Sequence, residues 1–445
     1  MTVYLHSLGC DKNLVDSEVM LGLLFEAGYK TAPDPSQADM IIVNTCGFIQ
    51  EAVEEGIETI LEMAAYKDEG CCKSLVVTGC MAQRYKNEIL AEIPEVDEIL
   101  GVNDYPKIAG KEIDILDDEL YAKRANTMPM HVAYVKISEG CDNCCTYCTI
   151  PSIRGSYRDR NFESIIKECG MLVKNGAKEL VLVAQDTAGY GTKLYGRRRL
   201  HELLHSISTI DGVGWVRLMY AYPEHVYPEL IETIAKHCNI CNYIDMPIQH
   251  SHDDVIARMG RKSSGEGLKA LIAKLKEKDI AVRTTLIAGF PGETEEEFEH
   301  LCRFVEEADF DHLGVFAYSR EEDTPAAKMK PQIKSAVKKA RQDKLMAIQA
   351  KIAEKHSRAL IGRTLKIMVD GSVNTGSGGV HRTPTGAVKD EIAYCGRSER
   401  YAYDIDGAVF FLASQELMSG DWARVKITRA HGYDVYGELV DIIEG

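Results

Sequence analysis

The 445-residue sequence predicts an α/β protein that consists of three units. Strand-like and helix-like segments alternate over the first ~110 residues and again from Val132, a pattern typical of parallel sheets covered by helices. Beyond Gly362 only short strands follow, which indicates a small all-β module. We expect an N-terminal parallel α/β domain at 1–125, a central partial (β/α)6 barrel at 126–334, a connecting helix at 335–360 and the all-β module at 361–445.

Three short strands of the N-terminal domain each end beside a cysteine. These pairs are Val3–Leu8 with Cys10, Met40–Thr45 with Cys46, and Leu75–Gly79 with Cys80; helices are predicted at Ser17–Ala27 and Ile49–Met63. Successive cysteines are separated by about one βαβ unit, so parallel strands would bring the three thiols to one carboxyl edge, where open α/β sheets bind ligands. This placement predicts a three-cysteine metal site. The alternative is three unrelated buried cysteines.

The polar stretch 114–130 lacks periodicity and is predicted to be a linker. Six strand candidates follow it, separated by helices such as Glu163–Asn175 and Glu295–Ala308. The strand candidates are Val132–Ile137, Glu179–Ala184, Val216–Tyr220, Tyr243–Ile248, Val282–Ala288 and Leu313–Tyr318. Six βα units predict an open, partial barrel whose site lies at the carboxyl ends of the strands.

A loop directly after the first barrel strand carries closely spaced cysteines, as Cys141-x3-Cys145-x2-Cys148. A cubane 4Fe–4S cluster normally takes four cysteine ligands, so three on one loop would leave one iron open to an outside ligand. Cys144 offers a second register, because Cys141-x2-Cys144 is also a CxxC pair. We prefer Cys145, since Tyr147 then precedes the third ligand as an aromatic wall against solvent, and Cys144 becomes a bystander.

Zinc is the alternative metal at both cysteine sites. Structural zinc needs four ligands, usually two CxxC-type pairs. Cys71 with Cys72, or Cys238 with Cys241, could supply partners, but neither pair has a matching second half nearby in the sequence. The single cysteines Cys169, Cys302 and Cys395 are expected to be small buried hydrophobes.

The last third of the chain begins with a Lys- and Arg-rich helix, Ser335–Leu360, whose basic face is expected to be solvated surface. Four strands are predicted after it, at Thr364–Val369, Ala408–Phe411, Ala423–Thr428 and Tyr436–Val440. The intervening loop Gly371–Gly386, rich in Gly, Ser and Thr, is predicted to be mobile.

Composition limits the compartment and the partners. The net charge of −16 weighs against a large nucleic-acid interface and favours basic partners. No apolar run reaches the length of a membrane span and no signal peptide is recognisable. We therefore expect a cytoplasmic protein, in which the 14 cysteines stay reduced.

The Cys-x3-Cys-x2-Cys loop on a βα barrel resembles the radical S-adenosylmethionine (SAM) superfamily. The three-cysteine domain and the end module resemble those of the methylthiotransferases, whose end module is called TRAM, and the match covers essentially the whole chain. One branch of that family modifies tRNA adenosines and another modifies an aspartate of ribosomal protein S twelve. The stretches that resemble the second branch are Ser7–Glu18, Ile150–Gly155, Ala184–Thr187, Tyr222–Pro223, Asp245–His250 and Val315–Ser319.

The resemblance implies an enzyme with two 4Fe–4S clusters and SAM. Cys141, Cys145 and Cys148 would hold the SAM-binding cluster, and Cys10, Cys46 and Cys80 the second one. Gly289, Gln249 and Pro247 are candidate SAM contacts by position alone, Gly289 because it begins a glycine-containing turn after the fifth barrel strand. The implied partners are ribosomal protein S twelve, an electron donor such as flavodoxin or ferredoxin, and a sulfur donor, with no membrane.

Charge gives a separate indication of the branch. Residues 361–445 contain 9 Lys and Arg against 12 Asp and Glu, whereas a module that grips tRNA should be basic. An acidic module suits a ribosomal protein rich in Lys and Arg. We therefore predict methylthiolation of an aspartyl β-carbon; the alternatives are a tRNA adenosine methylthiotransferase, a non-catalytic iron–sulfur redox protein and a zinc-stabilised adaptor.

Overall fold

The computed structural model describes residues 1–373 and 392–443. The predicted mobile loop Gly371–Gly386 lies outside these residues from position 374 onward. None of the helices in the described ranges is long and apolar enough to cross a membrane.

The N-terminal sheet has five parallel strands in the order β2-β1-β3-β4-β5. Its elements are β1 (Thr2–Ser7), α1 (Asp11–Glu26), β2 (Lys30–Thr31), β3 (Met40–Thr45), α2 (Gln50–Glu69), β4 (Ser74–Gly79), α3 (Cys80–Arg84), α4 (Lys86–Glu92) and β5 (Glu98–Leu100). The strands predicted before each cysteine are confirmed. Ser7 pairs with Asn44 and Thr45 with Gly79, so the residues that follow these strands emerge at one edge.

Helix α1 begins at Asp11, six residues before the predicted start. Its first turns carry buried polar residues, among them Lys12, Asn13 and Asp16, where a helix facing an apolar core would carry hydrophobic ones. Hydrophobic periodicity therefore missed them.

The predicted linker 114–130 is tied firmly to the structure on both sides. It contains one short helix, α5 (Asp118–Tyr121). The buried Arg124 bonds Glu18 of α1 at 2.6 Å and Glu168 at 2.8 Å. Glu18 lies on a helix of the N-terminal α/β unit and Glu168 lies on a helix of the central unit, so this arginine joins the two units.

The central sheet is parallel, with six strands in the order β13-β12-β11-β10-β9-β6, and confirms the predicted partial barrel. Its strands are β6 (Val132–Lys136), β9 (Glu179–Val183), β10 (Trp215–Leu218), β11 (Ile240–Asp245), β12 (Ala281–Ala288) and β13 (His312–Ala317), with a small hairpin of β7 (Ser138–Glu139) and β8 (Arg158–Asp159). The helices are α6 (Ile150–Arg154), α7 (Phe162–Lys174), α8 (Leu200–Ser208), α9 (Pro228–Lys236), α10 (Asp253–Arg258), α11 (Gly265–Glu277), α12 (Glu295–Ala308), α13 (Pro325–Lys328) and α14 (Ser335–Ala359). Neighbouring strands follow chain order, as βα repetition requires.

The end module is a closed five-stranded barrel in the order β14-β15-β16-β18-β17. Its strands are β14 (Thr364–Ser372), β15 (Ile392–Arg397), β16 (Val409–Ala413), β17 (Trp422–His431) and β18 (Asp434–Ile443). Four of these strands were predicted from the sequence, and β15 was not. Of the single cysteines, Cys169 and Cys302 are buried and Cys395 is half-buried.

The end module packs on the amino ends of the central strands. Glu179, the first residue of β9, bonds Arg217 of β10 and Arg397 of β15, each at 2.6 Å. The Trp215 ring, at the start of β10, meets the Trp422 ring edge-on at 4.8 Å between centroids. The carboxyl ends of the same strands are therefore left for the N-terminal sheet.

Candidate active site

Six cysteines line one cavity of about 330 Å³ at the carboxyl ends of both sheets. Cys10, Cys46 and Cys80 lie on the wall formed by the N-terminal sheet. Cys141, Cys145 and Cys148 lie on the wall formed by the loop after β7. Residues far apart in the sequence thus bring two thiol trios to the same space.

Asn13 holds the N-terminal trio together. Its side-chain amide Nδ2 donates to the carbonyl oxygens of Leu8 and Thr45, at 3.1 and 3.0 Å. Its Oδ1 accepts from the Cys80 Sγ at 3.7 Å. One buried amide therefore fixes the ends of β1 and β3 and the cysteine that follows β4.

Gly9 allows the closest approach within this trio. Its backbone is left-handed, with φ of 91°, which glycine adopts without penalty. A Cβ on Gly9 would lie 2.8 Å from Cys46 Cβ and 3.2 Å from its Sγ. Any side chain there would push Cys46 out of position.

Backbone N–H groups orient the second trio. The amide of Asn143 donates to Cys141 Sγ and the amide of Ile150 donates to Cys148 Sγ, both at 3.4 Å. The Tyr222 hydroxyl lies 3.6 Å from Cys145 Sγ. Such hydrogen bonds to sulfur are among the features that tune an iron–sulfur cluster.

Tyr147 and Cys144, which both lie between Cys141 and Cys148, differ in their environment. Tyr147 lines the cavity and packs edge-on against Phe290, with 6.4 Å between ring centroids. Cys144 is exposed and does not line the cavity. The Cys145 register, with Tyr147 as an aromatic wall, stays a prediction.

Burial raises the pKa of four of the cavity thiols, that of Cys46 among them. It raises that of Cys80 and that of Cys141 to about 11, and that of Cys148 to about 12. Thiols with such values are protonated at neutral pH, and a bound metal displaces the proton because the thiolate is the ligand. The cavity thiols are thus suited to bind metal ions or clusters, whose positive charge stabilises the thiolate form.

The spacing of the thiols fits a cluster better than a single zinc ion. A zinc ion about 2.3 Å from each thiolate would hold the sulfurs about 3.8 Å apart. In the parts of the chain that the structure describes, no three cysteine sulfurs lie within 4.8 Å of one another. A 4Fe–4S cube distributes its ligands over separate irons and spaces them more widely. The possible zinc partners Cys71, Cys72, Cys238 and Cys241 do not line the cavity.

A buried quartet of charges joins the two walls of the cavity. The Arg154 guanidinium bonds Asp16 of α1 at 3.1 Å and Glu139 of β7 at 2.9 Å. Lys136 pairs with the same two carboxylates. Two positive and two negative side chains balance, so each buried charge has partners. Arg154 itself reaches the cavity beside the N-terminal cysteines.

The predicted SAM contacts divide into two groups. Pro247 and Gln249 line the cavity. Gly289 does not, and a Cβ on it would lie 2.5 Å from Lys338 Cγ of helix α14. The backbone amide of Gly289 donates to Glu293 at 2.7 Å. A cofactor contact at Gly289 remains a prediction.

Six residues that line the cavity were not predicted individually from the sequence as site residues. These are Lys12, Arg154, Gln185, Tyr220, Tyr222 and Arg261. Four of them lie inside stretches that carried the family resemblance, which was the available signal: Lys12, Arg154, Gln185 and Tyr222. Their positions in the cavity depend on contacts between distant segments.

Three family models match successive parts of the chain. Residues 2–101 match the uncharacterized protein family UPF0004, residues 135–305 match the radical SAM superfamily, and residues 361–440 match the TRAM domain. The three matches fall on the N-terminal sheet, on the central sheet without its last strand β13, and on the closed barrel.

Similar proteins cover almost the whole chain. The chain is 49% identical to the ribosomal protein uS12 methylthiotransferase RimO of Lachnoclostridium phytofermentans, over 98% of this chain and 99% of that protein. It is 45% identical to the protein of the same name from Geobacter sulfurreducens, over 98% and 97%. Among solved structures, the radical SAM methyltransferase TsrM from Kitasatospora setae matches with a TM-score of 0.50 at 15% identity, over 73% of this chain and 76% of that one. The last likeness concerns the fold alone.

Proposed function

This chain belongs to the RimO family of ribosomal protein uS12 methylthiotransferases, within the radical SAM superfamily, and we propose that it inserts a methylthio group at the β-carbon of an aspartate of ribosomal protein uS12, giving 3-methylthioaspartate. The enzyme class is a radical SAM transferase that uses 4Fe–4S clusters and SAM. The observation that carries the proposal is the single cavity lined by both cysteine trios.

The cluster ligands are assigned as follows. Cys141, Cys145 and Cys148 would hold the cluster that binds SAM, and Cys10, Cys46 and Cys80 would hold the second one. When bound, the clusters and SAM supply the one-electron chemistry, the sulfur and the methyl group. Pro247 and Gln249 are proposed to contact SAM because they line the same cavity.

The other residues of the cavity position groups and exclude water. Tyr147 and Tyr222 cover the side of the Cys141–Cys148 loop, and Phe48 lies beside Cys46 on the opposite wall. The Arg261 guanidinium lies 4.2 Å from the centre of the Tyr222 ring and donates to the Pro247 carbonyl at 3.0 Å. These contacts hold Tyr222 and Pro247 in place on the proposed SAM side.

The charge of the end module favours uS12 over tRNA. Residues 361–445 carry more Asp and Glu than Lys and Arg, and phosphate backbones need the opposite balance. The module also packs on the amino ends of the central strands, away from the cysteine cavity. Its proposed role is to hold a basic protein partner at a distance from the chemistry.

We propose a flavodoxin or ferredoxin as electron donor, a separate sulfur donor, and a cytoplasmic location where ribosomal proteins are found. We also propose the division 1–125, 126–334, 335–360 and 361–445, because its boundaries fall between the sheets and helix α14.

The test is an anaerobic assay of the iron- and sulfide-loaded protein with a low-potential reductant and SAM labelled in its methyl group. Purified uS12 and unmodified tRNA are offered in parallel. We expect label in uS12, with a mass gain of one methylthio group less one hydrogen on an aspartate. Label in tRNA and none in uS12 would contradict the proposed substrate.

A further inference from the structure

Three cationic side chains line the cysteine cavity among the residues that the structure describes, and one of them stands apart. Arg154 is paired with Asp16 and Glu139. Arg261 is paired with Glu224 at 3.2 Å. The side-chain ammonium of Lys12 makes no hydrogen bond or ion pair with any of the described residues, although only 7% of the residue is exposed.

The surroundings of Lys12 hold its ammonium in place without neutralising it. Lys12 lies in the first turn of α1, and its Nζ is 3.3 Å from the centre of the Tyr220 ring. The Tyr220 hydroxyl donates to Asp11 Oδ2 at 2.8 Å, and its backbone amide donates to Asp245 Oδ2 at 3.1 Å. An aromatic face attracts a cation, but it does not replace the anion that a desolvated charge requires.

Two other residues that line the cavity have an unusual backbone conformation. Tyr220 and Gln249 both line the cavity, and both have left-handed backbones, with φ of 58° and 68°. Such conformations in residues other than glycine are costly and occur most often at functional sites. The ring beneath the ammonium is therefore positioned by a strained turn as well as by its hydroxyl.

The proposed substrate supplies the missing anion. The reacting β-carbon of an aspartate is bonded directly to its carboxylate, so binding the carboxylate also places the β-carbon. Ligated cysteines make the cavity walls rich in negative charge, and the two arginines are already neutralised by carboxylates. A substrate carboxylate can thus bind in the cavity only beside one further cation that is not already paired.

We propose that Lys12 binds the side-chain carboxylate of the target aspartate and holds its β-carbon between the two cysteine trios. This inference rests on the proposed function. It makes Lys12 the residue that selects aspartate over asparagine, because a neutral amide can accept a hydrogen bond from the ammonium but cannot form an ion pair with it. Loss of one partner from a buried charge pair typically weakens binding by about 100-fold or more.

The test compares Lys12→Met and Lys12→Gln, which remove the charge, with Lys12→Arg, which keeps it. Lys269→Met is the matched control, because Lys269 is exposed and paired with Glu307 on the outside of the barrel. Each loaded protein is assayed with uS12 carrying either the target aspartate or asparagine in its place. Binding of both uS12 forms, iron content and SAM cleavage without uS12 are measured as well.

We expect the wild type, Lys12→Arg and Lys269→Met to bind the aspartate form about 100-fold more tightly than the asparagine form. Lys12→Met and Lys12→Gln should lose that preference through weaker binding of the aspartate form, with iron content unchanged. Lys269→Met should keep the wild-type rate of SAM cleavage without uS12. A purely structural role would not move the ratio between the two substrates.

Three results would overturn the proposal. They are an unchanged preference in both neutral variants, a raised KM for SAM in place of weaker uS12 binding, and loss of iron from both variants, which would assign Lys12 to the cluster site. Wild-type turnover of uS12 is measured first. If the wild type cleaves SAM but leaves uS12 unmodified, the proposed function fails and the Lys12 inference fails with it.

Discussion

Arg154 is one of the residues that connect the two walls of the cavity. Its guanidinium bonds Asp16 on one wall and Glu139 on the other, and all three side chains are buried. Its charge favours the thiolate form of Cys80, although burial dominates and raises the pKa of that thiol to about 11. Arg154 therefore serves both the packing and the electrostatics of the site.

Arg154→Met should leave Asp16 and Glu139 buried with Lys136 as their remaining cation. Breaking a buried charge network in this way typically costs about 3–5 kcal/mol. We expect a loss of that size in the free energy of unfolding of the N-terminal and central sheets, measured by urea unfolding of the metal-free protein.

Arg158→Met is the control for this change. Arg158 lies four residues away and pairs at 3.0 Å with Asp114, which is well exposed. Exposed pairs contribute at most about 1 kcal/mol. Equal losses in the two variants would show that the quartet does not hold the walls together.

The strand ends are the elements that determine the N-terminal cysteine site. Their positions were predictable because apolar runs of strand length end beside Cys10, Cys46 and Cys80. The early start of α1 was not predictable, because the polar residues Lys12, Asn13 and Asp16 are typical of a loop. Their place in a buried helical turn depends on partners far away in the sequence. Strand β15 was missed between a Gly-rich segment and a polar one. The local sequence pattern therefore predicted the strands. The start of helix α1 depends on polar contacts with distant segments, which that pattern does not show.

Gly9→Ala tests whether close packing at a strand end controls cluster assembly. The new Cβ would lie 2.8 Å from Cys46 Cβ, so the thiol has to move. We expect loss of about half the bound iron, corresponding to one of two clusters, with SAM cleavage retained. Iron and acid-labile sulfide analysis measures the outcome.

Gly28→Ala separates this clash from backbone strain. Gly28 has a similar φ of 87°, but a Cβ there would meet no atom within 4 Å. It should lose about 1 kcal/mol of stability and keep its iron. Equal iron loss in both variants would mean that strain, and not the contact with Cys46, is responsible.

For the whole molecule, the sequence predicted three units but not how they meet. The six central strands and the change to an all-β end module followed from periodicity alone. The orientation of the N-terminal sheet depends on buried ion pairs between segments more than one hundred residues apart, such as Lys136 with Asp16 and Arg124 with Glu18. No local pattern encodes such pairs. As a result, the contacts that close the shared cavity became visible only in three dimensions.

The central claim is that both cysteine trios act in one cavity of one chain, and two triple variants test it most directly. One carries Ala at Cys10, Cys46 and Cys80, and the other carries Ala at Cys141, Cys145 and Cys148. The first should cleave SAM without methylthiolating uS12, the second should do neither, and an equal mixture of the two should remain inactive. Methylthiolation of uS12 by the first variant alone, or its recovery in the mixture, would contradict the account.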